Sequence, residues 1–147
     1  MVSIQTTRFG TLKVPTDEIL YFPDGLIGMA DSTHWVLFAD SNNPLVAWLQ
    51  SMSRPEIAVA TVSPRKLVPH YRVCVTKRQL SPLNLAQTSE LFVLAIVNSN
   101  GGQWTANLKA PLVIDLQNQI GRQVVTADSQ PVRYLLPSVS SSLRKSA

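Results

Sequence analysis

Three runs of aliphatic and aromatic residues, Trp35 to Ala39, Val46 to Gln50 and Ile57 to Val62, recur about every ten residues, separated by Asp40-Ser41-Asn42-Asn43-Pro44 and Ser51-Met52-Ser53-Arg54-Pro55. Runs this short, punctuated by turn formers, predict antiparallel strands rather than helices. Other segments repeat the pattern. Ser3 to Thr6 and Thr11 to Val14 flank Phe9-Gly10, where glycine supplies the positive φ of a tight hairpin. Ile19 to Phe22 is a strand that stops at Pro23, which has no amide proton for a ladder. Leu91 to Val97, the loop Asn98 to Gly102, Trp104 to Leu108, Pro111 to Leu116 and Gly121 to Thr126 follow, with Asn118 and Gly121 marking the turn between the last two. One helical turn or two is expected over Ser81 to Gln87, with Ser81 as N-cap and Pro82 at the first position.

About nine or ten short strands without alternating long helices exclude a doubly wound parallel sheet. The expected fold is mainly β: a small antiparallel β-barrel-like single domain with one or two short helices, because closure removes exposed strand edges. Residues 1–137 are assigned to the domain, and the Ser-rich, basic segment 138–147 to a flexible tail.

At 147 residues the chain is the size of one domain, able to bury roughly 68–70% of the surface its unfolded chain exposes. An apolar content of 45%, 15% charged residues and a mean hydropathy of +0.09 exclude a disordered polar chain. Leu91 to Val97, the longest apolar run, is too short to span a bilayer, and no basic flank leads into an apolar segment at the N-terminus. The expected compartment is cytoplasmic. Its one cysteine, Cys74, cannot form an internal disulfide, and its neighbours Val73 and Val75 point to a buried apolar thiol in a strand.

The charge, +4 overall, is uneven. Arg8 and Lys13 against Asp17, Glu18, Asp24, Asp31 and Asp40 leave residues 1–53 at −3. Arg54, Arg65, Lys66, Arg72, Lys77 and Arg78 against Glu56 leave residues 54–78 at +5. Such asymmetry allows two faces with different partners. Arg65 to Arg78, with His70 and Tyr71 interleaved, is a candidate RNA-binding stretch of phosphate contacts and stacking, although no repeated exposed-aromatic signature accompanies it.

Catalytic chemistry has little support. Asp17-Glu18 is the one adjacent carboxylate pair, and it reads as an exposed turn. His70 is the candidate base for Cys74, but no third, orienting group is evident. No His-x-x-x-His, Cys-x-x-Cys or glycine-rich phosphate cradle occurs, so neither a metal nor a cofactor is expected. Trp35, Trp48 and Trp104 sit among strand formers as core or as binding anchors. Asn107, in an apolar strand, either pins a neighbouring loop or presents its amide to a partner.

These segments together resemble a known family. Phe22-Pro23-Asp24-Gly25-Leu26-Ile27-Gly28 is similar to a Phe-Pro-Glu-Gly-Ile-Pro-Gly loop, and Trp48-Leu49-Gln50-Ser51 to an aromatic-Leu-Gln-Ser segment. Leu94 to Val97 resembles a core strand of the same family. Thr105-Ala106-Asn107-Leu108, Ala110 to Ile114 and Gly121 to Val125 match its most recognisable region. The family is the flagellar assembly factor FliW, and the resemblance runs from about residue 3 to 136.

The resemblance implies a β-barrel-like adaptor without enzymatic activity. It implies binding to the carbon storage regulator CsrA, an RNA-binding translational repressor, and to flagellin, so that flagellin level is coupled to flagellin translation. Neither nucleic acid nor membrane is a direct partner in this reading. The family-marked positions Phe22, Pro23, Gly25, Leu26, Ile27, Trp48, Leu49, Gln50, Asn107 and Pro111 are the candidate partner-binding residues. Ile27 stands where the family often has proline, and Lys109 where it commonly has an apolar residue. The pI near 9.6 departs from the acidic character of the family, leaving the −3 N-terminal third as the candidate face for a basic repressor.

Overall fold

A computed structural model describes residues 1–83 and 91–136. The fold is mainly β, as the spacing predicts. β1 (Val2–Thr6) and β2 (Gly10–Val14) form a separate hairpin registered from Val2–Val14 to Thr6–Gly10. Gly10 takes φ +69°, and the Thr6 hydroxyl closes the turn by donating to the Gly10 carbonyl at 2.8 Å.

The barrel is built from β3 (Ile19–Tyr21), β4 (His34–Ala39), β5 (Val46–Ser51), β6 (Ala58–Val62), β7 (Leu91–Asn100), β9 (Leu112–Asp115) and β10 (Ile120–Gln123). The ring runs β7-β6-β5-β4-β3-β10-β9, and β9 closes it by pairing back to β7. The expectation of antiparallel pairing holds at every seam but one: β3 and β10 are parallel, with Tyr21 opposite Ile120. Parity requires this. Seven strands cannot alternate direction all the way around a closed ring, so one neighbouring pair must run the same way.

β7 is shared between two partners. Its first half, Leu91 to Leu94, pairs with β9, while Val97 to Asn100 pair with β8 (Gln103–Ala106). β11 (Tyr134–Leu135) adds to the far side of β8. Between β8 and β9 the chain breaks at residues 107–111, so one long strand faces two short ones.

Alternation along the strands creates an inner and an outer core. Leu20, Trp35, Leu49, Leu94, Leu112 and Ile114 fill the barrel, with Phe22 and Leu26 packed among them. On the outside, Val46, Trp48, Ala60, Val62 and Ala95 lie beneath Tyr71, Leu108 and Leu136. The connection from β6 to β7 carries α1 (Pro64–Leu67) and α2 (Lys77–Leu80) and lays Val73, Val75, Leu80 and Leu83 against Val113 and Val124. Strands such as β9 are therefore buried on both faces, which explains their near-continuous apolar sequence.

Three local expectations are corrected. The helix begins earlier than Ser81: Thr76 caps α2 and Gln79 completes the reciprocal capping box, a Thr-x-x-Gln signature in the sequence. Ser81 is instead helical at the C-terminal end of α2, its hydroxyl donating to the Arg78 carbonyl, and a 3-10 turn spans Ser81–Leu83; residues 84–87 of the expected helix lie outside the described residues. Cys74 is exposed, not buried. Tyr71, Val73 and Val75 point inward along an extended segment, and the period of two turns Cys74 outward. Gly121 lies within β10 opposite Ile114, while the β9–β10 turn is held by Asp115, whose carboxylate accepts from the Asn118 amide at 3.2 Å and side chain at 2.7 Å. The assigned tail 138–147 is outside the described residues.

The Tyr71 hydroxyl pins the long connection to the barrel by donating to the Leu108 carbonyl at 2.6 Å. Burial first, then the Asp128 carboxylate, pushes its pKa up to about 12. The unfolded chain loses this proton near pH 10 while the folded chain keeps it, so the contribution of Tyr71 to stability is constant below pH 10 and falls between pH 10 and 12. The expected loss is about 2 kcal/mol. Urea melts at pH 9 and pH 11.5 should show it, and Tyr71→Phe should flatten the dependence while costing about 1–2 kcal/mol at neutral pH.

Candidate partner-binding surface

The segment after β3 forms a plug. Pro23 ends the strand, Gly25 turns back with φ +63° as its amide donates to the Phe22 carbonyl at 2.9 Å, and Leu26 and Met29 exchange backbone hydrogen bonds. Phe22 and Leu26 thereby enter the barrel and Ile27 is left 64% exposed. Gly25 cannot carry a side chain here: a Cβ would lie 2.4 Å from the Met29 carbonyl oxygen and 2.7 Å from Ala30 Cα.

This loop is tied to the break between β8 and β9. Gln123 accepts from the Ile27 amide at 2.7 Å and donates to the Ala110 carbonyl at 3.0 Å, so one side chain bridges two family-marked segments. Asn107 shapes the break itself: its Oδ1 accepts from the amides of Lys109 and Ala110 at 3.0 and 3.1 Å, while its own amide donates to Ile96. Its side-chain oxygen is thus a loop pin. Pro111 is buried, and its carbonyl accepts from Val124 at 3.0 Å. Lys109 lies over the same corner and donates to the Asp128 carbonyl. Hydrogen bonds from Thr126 and Gln130 hold the Asp128 carboxyl below its usual range. Asn107→Ala should cost about 1–2 kcal/mol in a urea melt, because one acceptor is removed and the amides of Lys109 and Ala110 lose their partner.

The third marked segment is also mostly interior. Leu49 lies in the barrel core, and Gln50 is fully buried with its Nε2 donating to the Ser51 carbonyl at 3.0 Å. Trp48 is 4% exposed, donates from Nε1 to Asp40 at 2.8 Å, and receives Phe9 edge-on and the Arg8 guanidinium 4.8 Å from its ring. Of the ten candidate residues, only Ile27 is exposed, with Pro23 and Asn107 half-buried. The others lie in the interior and set the shape of the loop, the β8–β9 break and the strand that carries Trp48.

That shape includes a cleft of about 210 Å³ lined by Arg8, Met29, Trp48, Ala58, Asn98 and Trp104. It opens where β6 and β7 part: their registered pairs are Thr61–Ile96 and Val62–Ala95, after which β7 turns to β8. Two tryptophans and an arginine, residue types enriched in binding hot spots, are thus set beside the Met29 end of the loop. Sequence reasoning missed Gln123 and Arg8, whose partners are distant in the chain, and Met29, which lies just past the family-marked loop.

The two charge-based expectations fare differently. The basic residues Arg65, Lys66, Arg72, Lys77 and Arg78 are all exposed, but Tyr71 is buried and offers no stacking face. In the N-terminal third, Asp24 pairs with Arg122 at 3.4 Å, Asp31 pairs with Arg54, and Asp40 is engaged by Trp48. Asp17 and Glu18 stay exposed on a 3-10 turn. Among the described residues, no helix is long and apolar enough to cross a membrane.

Comparison with known proteins matches this architecture. A crystal structure of the flagellar assembly factor FliW superposes with a TM-score of 0.83 at 22% identity, covering 91% of this chain and 96% of that one. Flagellar assembly factor FliW of Bdellovibrio bacteriovorus is 34% identical over 128 residues, 86% of this chain and 73% of the relative. That of Magnetococcus marinus is 32% identical, covering 99% of this chain and 93% of the relative. The family model described as FliW protein matches residues 3–136, from the first hairpin through β11, and the chain belongs to the FliW family of flagellar assembly factors.

Proposed function

We propose that this chain is a non-enzymatic, cytoplasmic regulatory adaptor that binds the translational repressor CsrA and flagellin in mutually exclusive complexes. The match to the FliW family over residues 3–136 carries the reading. Accumulated flagellin occupies the adaptor and frees the repressor; export of flagellin returns the adaptor to it. Competition by mass action is sufficient for this coupling.

The rigid loop supports a binding role. Phe22 and Leu26 are anchored in the core and Gln123 fixes the backbone of Ile27, so an exposed aliphatic side chain is presented with little ordering left to do on association. Ile27→Asp should leave the melting temperature within about 2 °C of the parent, because surface substitutions shift stability little. Calorimetric titration should show binding to CsrA or to flagellin weakened at least about tenfold. Unchanged affinity for both would remove the loop from the interface, and no binding of either at micromolar concentrations would overturn the function.

A further inference from the structure

We propose that the basic outer face carries a second docking surface, for an acidic protein segment with one aliphatic anchor. It goes beyond the regulatory reading and does not depend on which partner the Ile27 loop holds. The feature that carries it is an apolar cleft of about 170 Å³ within the cationic connection. Val113 of β9 and Val93 of β7 lie beneath, Val73, Val75 and Leu80 form the walls, and Leu91 and Arg65 reach the surface. An apolar cavity of about 150 Å³ is large enough to hold a benzene-sized group, so one leucine side chain fits.

The charges around the cleft select its occupant. Arg65 lines it, and Lys66, Arg72, Lys77 and Arg78 are exposed on the same connection, which wraps over this side of the barrel. Among the described residues none of the five forms an ion pair, whereas Arg54 and Arg122 do. Their carboxylate-seeking capacity is therefore open to a partner. Alternation along the extended chain places Arg72 outward between inward-facing Tyr71 and Val73, so cations and apolar walls come from the same few residues.

RNA fits this surface less well. Single-stranded nucleic acid gains from aromatic stacking platforms, and the tyrosine of this stretch is buried with its hydroxyl on Leu108. An aliphatic slot stacks no base. A chain of carboxylates interrupted by one leucine satisfies both the cations and the slot.

The test uses the full chain and a fluorescein-labelled peptide of alternating Glu and Asp around one central Leu, read by fluorescence anisotropy. The peptide should bind, and changing its Leu to Ser should weaken binding roughly tenfold or more, as expected for an apolar side chain returned to water. Leu91→Asp should do the same, and the double variant Arg72→Glu with Lys77→Glu, at two exposed positions, should weaken binding at least tenfold with an unchanged melting temperature. Ile27→Asp should have no effect, which separates this surface from the family-marked loop. The proposal is overturned if the peptide fails to bind below about 1 mM, or if the Leu-to-Ser peptide binds equally well. It is equally overturned if oligo-uridine binds more tightly than the peptide and is insensitive to Leu91→Asp.

Discussion

Phe22→Ala should lower the unfolding free energy by about 3–5 kcal/mol, the range for deleting a fully buried aromatic ring. The ring is completely buried in the barrel and sits directly over Gly121, where a Cβ would come within 2.5–2.8 Å of three ring carbons. Gly121→Ala alone should therefore cost about 1–3 kcal/mol by overpacking. In the Phe22→Ala background the same methyl group enters the vacated space and should cost nothing or stabilise. Urea melts of the four proteins should give a coupling energy of at least about 1 kcal/mol between sites 99 positions apart in sequence, as expected for residues in contact. Additive effects would show that the ring and the glycine do not share one packing site.

Gly25→Ala is expected to be nearly as damaging, for a different reason. At φ +63° an alanine is strained by roughly 1–2 kcal/mol, and its methyl group would overlap the backbone of Met29 and Ala30, which cannot rotate aside as a side chain can. We expect a total cost of roughly 2–4 kcal/mol, or a fall of about 5–15 °C in melting temperature. Because Leu26 and Ile27 follow immediately, partner binding should fall together with stability. A melting temperature within 2 °C of the parent would mean that the plug tolerates another path.

The strands were legible because turn residues at ten-residue spacing and the alternation of side chains are local signals. The parallel seam between β3 and β10 was not, since it arises from ring parity rather than from any residue in either strand. Thr76 and Gln79 held the true helix start in plain view, yet Ser81-Pro82 carries an equally good local signature; the reciprocal capping bonds form at Thr76, and Ser81 falls at the C-terminal end of the helix. Cys74 shows the limit of a neighbour-based argument. Two flanking valines that face inward force the residue between them outward, so apolar neighbours in an extended segment argued for exposure.

The candidate site was legible as segments and not as a surface. Phe22, Leu26, Leu49, Gln50 and Pro111 are family-marked, and all are buried. Their side chains define where the loop, the β8–β9 break and the outer tryptophan lie, while Ile27, Arg8 and Met29 provide the accessible groups. Gln123 joins the loop to the break through contacts spanning 96 and 13 positions, and no local pattern in β10 announces it.

The most direct measurement is displacement. A preformed complex of this chain with fluorescein-labelled CsrA is titrated with flagellin while anisotropy is followed. The account predicts complete release of CsrA, with a midpoint that moves up in proportion to the CsrA present, as competition for one adaptor requires. A stable ternary complex, or a CsrA complex indifferent to saturating flagellin, would contradict it.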